Sequence, residues 1–113
     1  MAKLIVDDQE ITVSLSAVEK LEALHGNVTV PRSAVARVRT VPDGMVEVHG
    51  LRAPGTGLPG VIKVGTWRSR KGKTFAVCHG RRPAIVLDLV GSTYDRLVVT
   101  VDDPEHAMRS LAR

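Results

Sequence analysis

Glu10-Ile11-Thr12-Val13-Ser14-Leu15 alternates polar and apolar residues without a break. Ile11, Val13 and Leu15 fall on one side of an extended chain and Glu10, Thr12 and Ser14 on the other. This is the two-residue period of a half-buried β-strand. The same period dominates the rest of the sequence. Upstream, Lys3 to Asp7 reads as a short strand, joined by a turn at Asp7-Asp8-Gln9. Downstream, Ser16 with Glu19 three residues on forms a capping box and predicts a short helix. Val18, Leu21 and Leu24 lie on one face of it, and Gly26 stands where a left-handed residue would end it. Val28 to Val30, stopped by Pro31, and Ala34 to Val41, stopped by Pro42, read as further strands.

Asp43 to Gly50 is a short irregular or helical piece. Gly50 to Gly60 holds four Gly and two Pro and reads as loop, either closing over a ligand or making a sharp crossing between sheets. Strands follow over Val61 to Ser69, Lys73 to Gly80, Pro83 to Val90 and Asp95 to Val101. Their core-facing sets are Ile62/Val64, Phe75/Val77, Ile85/Leu87/Leu89 and Leu97/Val99/Val101. A last helix opens at Asp102-Asp103-Pro104, with Asp as cap, Pro in the first turn and an apolar stripe of Ala107, Met108 and Leu111. The fold class is mainly β, in a single domain over 1–113.

The 113 residues are 43% hydrophobic and 25% charged, a balance that suits a packed domain rather than a disordered chain. Trp67, Phe75 and Tyr94 are the only aromatics, so aliphatic residues must fill the core. The scarcity also argues against specific nucleic-acid binding, since single-strand binders stack bases on several aromatic rings. The lone Cys78 permits no intrachain disulfide and reads as a small buried residue. There is no leader pattern and no membrane-length apolar run, so the expectation is a cytoplasmic protein.

Charge is unevenly placed. Val48 to Leu87 spans forty residues with no Asp or Glu and eight basic residues, while 1–47 and 88–113 each carry a net −2. The middle of the chain should therefore project a positive field towards an anionic partner. Arg68, Arg70, Lys71 and Lys73 surround one turn of this segment, and Arg81 and Arg82 make the next. They form either an anion- or partner-binding surface or a solvated turn that keeps a sheet edge soluble. Trp67 lies by parity on the face opposite Ile62 and Val64, either as an exposed anchor or under the Gly/Pro segment.

The run Gly50-Leu51-Arg52-Ala53-Pro54-Gly55-Thr56-Gly57-Leu58-Pro59-Gly60, then Gly65-Thr66-Trp67 and Gly72-Lys73-Thr74-Phe75, resembles the glycine- and proline-punctuated signature of the bacterial pleckstrin-homology (PH)-like family. That resemblance implies a PH-like barrel of about seven antiparallel strands in two bent sheets, with a short internal helix and a C-terminal capping helix. It also implies a non-catalytic module. In eukaryotic lipid-binding PH domains the first turn is basic. Here it is Asp7-Asp8-Gln9, so the inositol-phosphate site does not carry over.

Catalytic patterns are lacking. Gly72-Lys73-Thr74 matches the end of a phosphate-binding loop, but Trp67 stands where that motif needs glycine, and a strand rather than a helix follows. His25, His49, His79 and His106 have no metal-ligand spacing, and no nucleophile elbow occurs. The expectation is no enzyme, no cofactor, no metal and no small-molecule substrate. Two functions remain open: a protein-interaction or self-assembly module, forming a homo-oligomer through sheet edges and the basic hairpin, or peripheral attachment of that hairpin to an anionic membrane surface.

Overall fold

The computed structural model describes residues 2–112, with Ala53 described by its backbone alone. Among the described residues nine strands form two sheets: β1 (Lys3–Val6), β2 (Glu10–Ser14), β3 (Val28–Pro31), β4 (Val35–Val41), β5 (Leu51–Leu58), β6 (Ile62–Ser69), β7 (Gly72–His79), β8 (Ala84–Leu89) and β9 (Arg96–Thr100). Helix α1 (Ala17–Ala23) lies between β2 and β3, and α2 (Pro104–Ala112) ends the fold. One sheet has the order β1-β2-β3, the other β4-β8-β9-β7-β6-β5.

The opening strands follow the alternation. Ile11 and Val13 of β2 are buried, as are Val28 and Val30 of β3, while the turn before β2 is closed by Asp7, whose carboxylate accepts the Gln9 and Glu10 N–H groups at 2.8 and 2.7 Å. These apolar faces pack on Val64, Phe75, Val77, Ile85, Leu87, Leu97 and Val99 of the larger sheet in one core. Ala107, Met108 and Leu111 of α2 pack against its margin, and Asp103 caps that helix by accepting the His106 N–H at 3.0 Å.

Four readings need correction. First, the larger sheet is not closed: β4 and β5 are its edges, and neither pairs with the other. It also contains a parallel pair, β7 with β9, because β9 slots between β7 and β8. A uniformly antiparallel chain of hairpins misses that insertion, since sequence order says nothing of it. Second, β7, β8 and β9 are buried on both faces. Ala76, Cys78, Ala84, Val86 and Val98 form a second core with Met45, Val48 and Trp67. The continuous runs Phe75–Cys78, Ala84–Leu87 and Leu97–Thr100 carry that signal, since a strand covered on both sides loses its alternation.

Third, most of Gly50 to Gly60 is strand, not loop. β5 pairs with β6 from Leu51↔Arg68 to Leu58↔Ile62, with a bulge between Arg52 and Gly55. Glycine is required there. Gly65 has φ +137°, and a Cβ on it would stand 2.5 Å from both Gly55 Cα and Pro54 O. Fourth, α1 presents the opposite face to the one expected. Its capping box forms as read, with Glu19 N–H on Ser16 Oγ at 3.2 Å and Ser16 N–H on Glu19 Oε1 at 2.9 Å. Yet the helix buries Glu19 and Ala23, and Val18, Leu21 and Leu24 are 65%, 73% and 68% exposed. Glu19 is anchored inward by the His79 ring, at 2.6 Å, and by the Ala2 N–H, at 3.0 Å. Leu24 rather than Gly26 takes the left-handed conformation, at φ 52°.

Candidate functional site

The basic hairpin exists as read. β6 and β7 are joined by a two-residue turn, Arg70-Lys71, closed by the Ser69↔Gly72 pair, and Arg68 and Lys73 are cross-strand partners just behind it. Arg68, Arg70 and Lys71 are exposed. Lys73 is half-buried, its ammonium 4.9 Å from the centre of the Tyr94 ring. Arg81 and Arg82 are not part of this cluster. They follow β7 at its other end, roughly 23 Å away at the strand rise of about 3.3 Å per residue.

Tertiary contacts also return acidic groups to the basic segment. Asp43 pairs with Arg81 at 3.0 Å. Asp95 Oδ2 accepts the Lys73 N–H at 2.8 Å, directly behind the hairpin turn. Glu47, Asp88 and Asp95 line a hollow of about 260 Å³ beside Lys71. Glu47 and Asp88 are themselves paired, with Arg39 at 2.6 Å and Arg96 at 2.8 Å. The cations without a carboxylate at ion-pair distance, among the described residues, include Arg52, Lys63, Arg68, Arg70 and Lys71.

Trp67 is 5% exposed and is no surface anchor. It forms the floor of a cleft of about 630 Å³ between the 3₁₀ turn Gly44–Glu47 and strand β5. The register explains the floor. Lys63 and Trp67 share one face of β6, opposite Gly57 and Arg52 of β5 respectively. Gly57 lies against the indole edge: a Cβ there would stand 3.2 Å from Trp67 Cζ2. Lys63 donates to Met45 O at 3.1 Å and Val48 O at 2.9 Å, tacking the 3₁₀ turn to the sheet. Arg52 reaches Gly57 O at 3.3 Å. Of the basic and aromatic site residues named from the sequence, Trp67 and Arg81 line this cleft, and so does much of the Gly50–Gly60 segment, Arg52 and Gly57 included, that the sequence offered as closing over a ligand. Lys63 was not named as a site residue, because its convergence with Arg52 and Gly57 depends on β5 being a strand.

The chain matches no protein-family model, no curated protein and no solved structure. Its chemistry must be read from its own groups. Among the described residues, no three His, Cys, Asp or Glu side chains come together as metal ligands. No helix among them is long and apolar enough to cross a membrane. Cys78 is fully buried, and burial pushes its thiol up to about 12, a form poorly suited to nucleophilic chemistry.

Proposed function

We propose that this chain is a non-catalytic interaction module whose first partner is a second copy of itself, met through the outer face of α1. The observation that carries this reading is the exposure of Val18 and Leu21 on the outer face of α1 and of Leu24 at its C-cap. A helix normally turns such a stripe inward, and a contiguous apolar face left in water marks an interaction surface. The stripe is self-complementary. With Leu21 on a two-fold axis and the helices antiparallel, Val18 meets Leu24 of the other copy.

The edges of the larger sheet suit self-pairing less well. β5 carries Pro54 and a bulge, both of which discourage strand addition. On β4, antiparallel self-pairing about Val38 sets Arg37 against Arg39, two like charges. The PH-like reading keeps support from the glycine-rich segment and from the C-terminal helix packed on the core. The open sheet and the β7–β9 parallel pair depart from it.

Sedimentation tests the assembly. The parent should run as a dimer at micromolar concentration, with a melting temperature that rises with concentration, and Leu21→Lys as a folded monomer whose melting temperature does not. A parent mass equal to one chain across the accessible concentration range overturns the reading.

A second reading rests on Arg68, Arg70 and Lys71, which lack carboxylate partners among the described residues and lie at the tip of the β6–β7 hairpin. With Trp67 buried, attachment to an anionic membrane would be electrostatic alone. At about 1 kcal/mol per cation, three supply roughly 3 kcal/mol, removed by moderate salt. Co-sedimentation with phosphatidylserine vesicles but not phosphatidylcholine vesicles, lost in the triple Ser variant, supports it. No binding at low salt removes it.

A further inference from the structure

We infer that the cleft floored by Trp67 is a binding site for an amphiphilic carboxylate, an anion with an apolar chain or ring. The cleft is distinct from the α1 face and from the hairpin tip, so this inference stands apart from both readings above. Three observations carry it.

The first is space. About 630 Å³ lies within the range of small-molecule sites, and it opens beside Gly57, where the missing side chain leaves the Cζ2 edge of the Trp67 indole next to the space. The second is an apolar rim without a partner. Leu51 is 80% exposed, the highest value among the large apolar side chains described, and Leu58 and Val46 beside it are 54% and 52% exposed. All three line the cleft. An apolar body lying on Trp67 would cover them together, whereas a purely polar anion would leave them in water.

The third is charge. No Asp or Glu lines the cleft. Arg81 is neutralised by Asp43, but Lys63 and Arg52 are bonded only to carbonyl oxygens, so neither charge is balanced. Two of the three Lys63 N–H groups are used, which leaves one for a ligand oxygen. Lys63 and Arg52 stand opposite the glycine and the indole across the same strand pair. A carboxylate held between them would have its apolar portion on the Trp67 ring. A cationic amphiphile of equal length would meet two uncompensated positive charges there.

Trp67 is the only tryptophan, so its fluorescence reports this site alone. The probe is decanoate, kept below its micelle concentration, with decyltrimethylammonium as the cationic match. Decanoate should give a saturable change in Trp67 emission, and the cationic probe should give none. Arg52 is exposed and contacts only a carbonyl, so Arg52→Gln tests charge without disturbing the core. It should weaken binding about tenfold or more, as expected for one charge-assisted contact. Gly57→Val should abolish the response by filling the cradle, and Arg70→Ser/Lys71→Ser should leave it unchanged. The inference is overturned by no saturable change in the parent, by an equal response to the cationic probe, or by undiminished binding in Arg52→Gln.

Discussion

Replacing Glu19 by Ala removes the acceptor on which three donors converge. Its carboxylate takes the Ala2 N–H at 3.0 Å, the Ser16 N–H at 2.9 Å and the His79 ring at 2.6 Å, and the residue is 2% exposed. Truncating one partner of a buried pair costs about 3–5 kcal/mol, mainly because the remaining groups are left without partners. The His79 side chain keeps 27% of its surface in water, so part of that penalty is relieved and the lower end applies. About 3 kcal/mol in a chain of this size lowers the melting temperature by roughly 12 °C. The loss should depend on pH. Burial, the largest influence on Glu19, pushes its pKa up, but the Ser16 backbone N–H, the His79 ring and the Ser16 hydroxyl together outweigh it and hold it below the usual value. A carboxyl with a depressed folded pKa contributes stability that is complete above its unfolded pKa and lost as pH falls through the folded one. The gap between parent and Glu19→Ala should therefore be full at neutral pH and close progressively below about pH 4.3. Urea unfolding of both proteins across that range is the assay. A difference under about 1 kcal/mol at neutral pH would refute the anchoring role of Glu19.

Three further outcomes follow from single positions. Gly65→Ala should cost roughly 3 kcal/mol or more, seen as a lower urea midpoint at unchanged slope, because the new methyl meets backbone atoms of Pro54 and Gly55 at a positive φ. Leu24→Gly should raise the stability of the single protomer by up to about 1 kcal/mol, read in the Leu21→Lys background where self-association is removed, since Leu24 holds a left-handed conformation that suits glycine. Cys78 should resist alkylation by iodoacetamide at mildly alkaline pH while folded and react readily in denaturant, because burial raises its thiol to about 12 and closes access.

Local signals were the most legible. The Ser16–Glu19 capping box, the Asp7 turn and the Asp103 cap depend on atoms within three residues of one another, and all form as the sequence predicts. The alternation of β2 and the stripe of α2 were equally clear, since each packs on the core through one face. The reading failed where a pattern had two solutions. On α1, the apolar stripe and the Glu19/Ala23 face compete for the sheet, and hydrophobicity alone favours the stripe. Glu19 wins because His79, sixty residues away in sequence, supplies a partner no local pattern reveals. In Gly50 to Gly60, composition speaks for loop, yet the glycines are what let β5 approach Gly65 closely enough to pair.

Charge divides along the same line. The sequence by itself determined a mainly β chain, its turns and caps, most of its core residues and a basic middle segment, because these follow from residue type and short-range spacing. Only the tertiary structure decided how much of that charge stays unbalanced. It brought Asp43 to Arg81 and Asp95 to the hairpin, and left Lys63 and Arg52 without carboxylates over the Trp67 cleft. Strand insertion, register and ion pairing join residues far apart in the chain. Their energies depend on distances that a linear pattern does not contain.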